Sequence, residues 1–120
     1  LSFKFNPLIK IGLDRVNSPD FVLFAGTILP AQSANIKLDD DANFTACRLS
    51  FEIYFSDLTK NKSFDMNITK KDTGLSDSIY SRIGSLSASV VANISGPDII
   101  LSVTNNESTA VSYKMKCMLI

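Results

Sequence analysis

The feature that most constrains this chain is a strict two-residue alternation that recurs from end to end. It is clearest over residues 46–56, where Cys47, Leu49, Phe51, Ile53 and Phe55 fall on one side. Arg48, Ser50, Glu52, Tyr54 and Ser56 fall on the other. Successive side chains of an extended chain point to opposite faces, so this pattern is that of a half-buried strand. Phe64, Met66 and Ile68 alternate in the same way with Asp65, Asn67 and Thr69, and Ile36 and Leu38 flank Lys37 in a shorter segment. Phe21 to Leu29 is apolar almost throughout and reads as a strand covered on both faces.

The C-terminal third continues the pattern. Leu86, Ala88, Val90 and Ala92 alternate with small or polar residues until Gly96-Pro97 breaks the chain. Ile99 to Thr104 follows, then the polar stretch 105–108, then a last run in which Val111, Tyr113, Met115, Cys117 and Leu119 share a face opposite Ser112, Lys114 and Lys116. Two alternating runs around a short polar turn predict a hairpin. One segment departs from this grammar. Leu75, Ile79 and Ile83 recur every four residues, with Ser76 placed to cap a helix and Gly84 to end it. Residues 76–83 are therefore expected as a short helix, with a strand or turn as the alternatives. The fold expected is all-β: a β-sandwich or jelly roll of about eight short antiparallel strands, plus that one short helix.

A chain of 120 residues suits a single core. We take 1–15 as an N-terminal segment and 16–120 as one sandwich domain. With 45% hydrophobic residues and 20% charged ones, the chain is somewhat apolar for its size, which favours subunit contacts. Lys+Arg and Asp+Glu balance at 12 each, so the basic excess that attracts a polyanion is missing and no nucleic-acid partner is expected. Lys60, Lys62, Lys70 and Lys71 read as a solvated loop. The longest apolar run, Phe21 to Pro30, is half the length of a bilayer-spanning helix, so no membrane insertion is expected.

The residues for chemistry are sparse. There is no His, which removes Ser-His-Asp and Cys-His arrangements and the commonest metal ligand. The five glycines stand apart from one another, so no phosphate-cradling loop forms. No enzyme activity, cofactor or metal is expected. Asp39-Asp40-Asp41 is the one acidic cluster, and it reads as a solvated turn because adjacent side chains diverge. Cys47 and Cys117 lie on inward faces; they are read as two buried thiols, with a disulfide meeting across the core as the alternative. Tyr54, on the polar side of its strand, is the aromatic residue best placed to face a ligand. Five Asn-x-Ser/Thr triplets, from Asn43, Asn61, Asn67, Asn93 and Asn106, are read as chance.

The opening Phe3-Lys4-Phe5-Asn6-Pro7, followed by Gly12-Leu13-Asp14, resembles a segment at the start of many virion proteins of tailed bacteriophages. There an aromatic-Asn-Pro-Phe-Thr-Gly stretch leads into an apolar-Asp pair. Here Leu8-Ile9-Lys10-Ile11 replaces the Phe-Thr-Gly part. The run from Asp98 to Asn106, with Ala110 to Lys114, is similar to the closing hairpin of phage fibre-head, baseplate and capsid-decoration domains. The resemblance implies a head-fibre, decoration or tail-fibre type of β-sandwich in the virion, forming a homotrimer and contacting other virion proteins. It also implies an anchor made by Phe3, Phe5, Asn6, Pro7, Leu13 and Asp14. The competing reading is a secreted or surface-displayed adhesin or pilin-like module. A sugar-binding module that contacts a host-surface glycan is a third reading, compatible with the virion one.

Overall fold

The computed structural model describes residues 21–120; the proposed anchor residues Phe3, Phe5, Asn6, Pro7, Leu13 and Asp14, and the boundary at 15/16, lie outside them. The strands are β1 (Phe21–Ile28), β2 (Ser33–Asp40), β3 (Ala46–Tyr54), β4 (Asn61–Lys71), β5 (Gly74–Gly84), β6 (Ala88–Ser95), β7 (Asp98–Asn105) and β8 (Val111–Leu119). They form two antiparallel sheets, one of five strands in the order β1-β8-β3-β4-β5 and one of three in the order β2-β7-β6. This is the all-β sandwich expected from the alternation. β8 returns to lie beside β1, and β7 beside β2, in the wrapped order of a jelly roll.

The inward faces close a single core. Cys47, Leu49, Phe51 and Ile53 of β3, Phe64, Met66 and Ile68 of β4, and Val111, Tyr113, Met115, Cys117 and Leu119 of β8 are all buried. Opposite them lie Ile36 and Leu38 of β2, Ile99, Leu101 and Val103 of β7, and Ala92 of β6. Phe51 stacks on Phe64 (centroids 5.2 Å apart) and on Tyr113 (5.7 Å), an aromatic ladder across three neighbouring strands. The smaller sheet covers the middle of the larger one, so β1 and β5 overhang as largely exposed edges.

Four expectations are corrected. Residues 76–83 belong to β5, and there is no helix among the described residues. A four-residue spacing is also twice the strand period, so Leu75 and Ile79 lie half-buried on the inner face of a strand. Ser81 then adopts φ 56° beside a register shift, which turns Ile83 to the outer face. The expected hairpin after Thr104 does not form, because β7 pairs with β2 and β6 while β8 pairs with β1 and β3. Both strands do face the core, but from opposite sheets. β1 is not covered on both faces: it is an edge strand with Phe21, Val22 and Leu23 exposed. Finally, the four lysines occupy a strand and its approach rather than a loop, Lys60 and Lys62 at one end of β4 and Lys70 and Lys71 at the other.

Candidate functional site

Pairing registers line up rows of side chains across the outer face of the five-stranded sheet. One row runs Leu23, Lys116, Ser50, Asp65, Tyr80 from β1 to β5; the next runs Ala25, Lys114, Glu52, Ser63, Ile83. Between the two edges the sheet holds a trough of about 810 Å³, bounded by Leu23 on β1 and Ile83 on β5. A second depression of about 200 Å³ adjoins it and shares Ser50, Asp65 and Lys116, adding Phe21, Arg48, Tyr80 and Met118.

The outward side chains along the middle of this trough are polar and its rims are apolar or aromatic, while most of the surface it offers is apolar. Ser50 Oγ donates to Asp65 Oδ1 at 2.8 Å, fixing the carboxylate on the face. Lys116 Nζ sits 5.1 Å from the centre of the Phe21 ring, and Lys114 Nζ 5.7 Å from that of Tyr54, so both ammonium groups are held over aromatic faces. Donors (Arg48, Lys114, Lys116) and acceptors (Glu52, Asp65) are therefore interspersed over one outer face of the sheet.

The residues singled out from sequence are distributed differently. Tyr54 is half-buried on this same outer face, at the end of β3, under Lys114 and outside the lining of the trough. Cys47 and Cys117 are buried and unbonded. They do not meet across the core: Cys47 pairs with Leu119 and Leu49 with Cys117, which makes the cysteines diagonal neighbours on adjacent strands of one sheet. Their thiols are hydrogen-bonded side by side within that sheet, and both are free. The hydrogen bond to Cys117, with burial added, pushes the Cys47 thiol far above its ordinary range. Two of the three consecutive aspartates pair with lysines, while Asp39 Oδ1 accepts from the Asp40 N–H at 2.9 Å. Lys37 holds Asp40 at 2.8 Å and Asp98 at 3.2 Å, while Lys70 holds Asp41 at 2.8 Å. Among the described residues no three His, Cys, Asp or Glu side chains are grouped to hold a metal ion.

Sequence reading missed the trough. Ser50, Glu52, Lys114 and Lys116 were each legible as outward-facing, but the register that sets β3 beside β8 was not.

The whole chain is similar in fold to part of a phage tailspike. The crystal structure of the Acinetobacter phage vB_ApiP_P1 tailspike protein matches over 100% of this chain, with a TM-score of 0.55 and 14% sequence identity. The chain spans about a quarter of that tailspike, 24% of its length. At this identity the likeness shows the fold alone. No family model matches the sequence, and no curated protein does.

Proposed function

We propose that this chain is a non-enzymatic structural domain of a bacteriophage particle, in a fibre, tail or capsid-decorating position, acting through assembly with copies of itself and contact with the host surface. The observation that carries this reading is the full-length likeness in fold to a segment of a phage tailspike. The virion-like opening residues 3–14 and the closing run 98–114 point the same way. In this reading the buried apolar faces give rigidity, and the exposed overhangs of the five-stranded sheet provide the working surfaces.

The trough deepens the host-contact part of the reading. A surface glycan presents hydroxyl groups and C–H faces together, and Asp65, Glu52, Arg48 and Lys116 offer polar partners between the Phe21 and Tyr80 rims. Residues 1–15 would anchor the domain to the particle. Immunogold labelling of purified particles, with antibody raised against this chain, tests the location. Gold on tails or capsids is expected; particles that carry none of the chain overturn the virion reading. Glycan-array binding lost in Lys116→Ala would support the trough as the contact surface, and binding retained in that variant would count against it. If removal of residues 1–15 left particle attachment unchanged, the anchor assignment would be wrong.

A further inference from the structure

We draw no further inference here: the strongest candidate, the trough across the outer face of the five-stranded sheet between Leu23 and Ile83, belongs to the site already described, and nothing in the structure shows what covers it.

Discussion

Asn105 is the one buried polar side chain among the described residues, and its truncation should cost more than that of any other polar residue. It ends β7 where the chain crosses from one sheet to the other. Its Nδ2 donates to the Ile28 carbonyl (3.0 Å) and the Thr109 carbonyl (2.9 Å), and its Oδ1 accepts from the Glu107 N–H (2.8 Å). Backbone bonds from Ala31 N to its carbonyl and from its N–H to Gln32 O tie the same residue to the β1–β2 turn. One side chain thus clamps the two connections that pass between the sheets. Asn105→Ala leaves the Ile28 carbonyl dry and unpaired, worth about 2 kcal/mol, while Thr109 and Glu107 can recover water at about 0.5 kcal/mol each. The sum, about 3 kcal/mol, is a large part of the roughly 5–15 kcal/mol that holds a domain together. In urea, with a slope of about 1.5 kcal/mol/M, the midpoint should fall by about 2 M at unchanged slope. Asn105→Asp is the control for the donors. It keeps the acceptor for Glu107 N–H but turns a negative oxygen toward two carbonyls, so at pH 7 it should be less stable than the alanine variant. That buried carboxyl would have a raised pKa in the folded state, so its penalty should shrink as pH falls through that value. A loss below about 1 kcal/mol for alanine, or equal stability of the two variants at pH 7, would refute the clamp.

Three further outcomes follow from neighbouring features. The Ser87 N–H and Lys60 lower the Glu107 carboxyl below its ordinary range, so its stabilisation is complete at neutral pH and is lost as pH falls below the unfolded glutamate value. Glu107→Gln should therefore flatten the acid limb of a stability–pH curve; an unchanged limb would show that the contact is solvated away. Gly84 has φ +99°, and a Cβ there would collide with the Asn61 carbonyl, so Gly84→Ala should cost about 3 kcal/mol or more in a thermal melt. Cys47 and Cys117 should resist alkylation until the chain unfolds, and the melting temperature should ignore reductant; a Cys47–Cys117 peptide in non-reducing mapping would contradict two buried free thiols.

Alternation carried the faces of this protein but not its neighbours. Leu49, Phe51 and Ile53 announce an inward face because burial follows the two-residue period of the pleat. Nothing in that period says which strand lies alongside. Hence β7 and β8, each correctly sided, were expected as a hairpin, although their alternating faces look at each other across the core. The same gap hid the trough, whose floor needs β8, β3 and β4 side by side. It also left open where Cys47 and Cys117 meet: side by side in one sheet rather than across two. Ile83 was lost for a more local reason: the positive φ at Ser81 inserts a bulge that a pattern of apolar residues cannot reveal.

β1 exposes the deeper limit of reading burial from composition. A run such as Phe21 to Ile28 is apolar because something covers it, and in an isolated chain the natural inference is that the rest of the chain does so. Here the described residues bury Ile28 and half-bury Phe24 but leave Phe21, Val22 and Leu23 exposed. The sequence pattern therefore records burial that the described residues do not supply at Phe21, Val22 and Leu23.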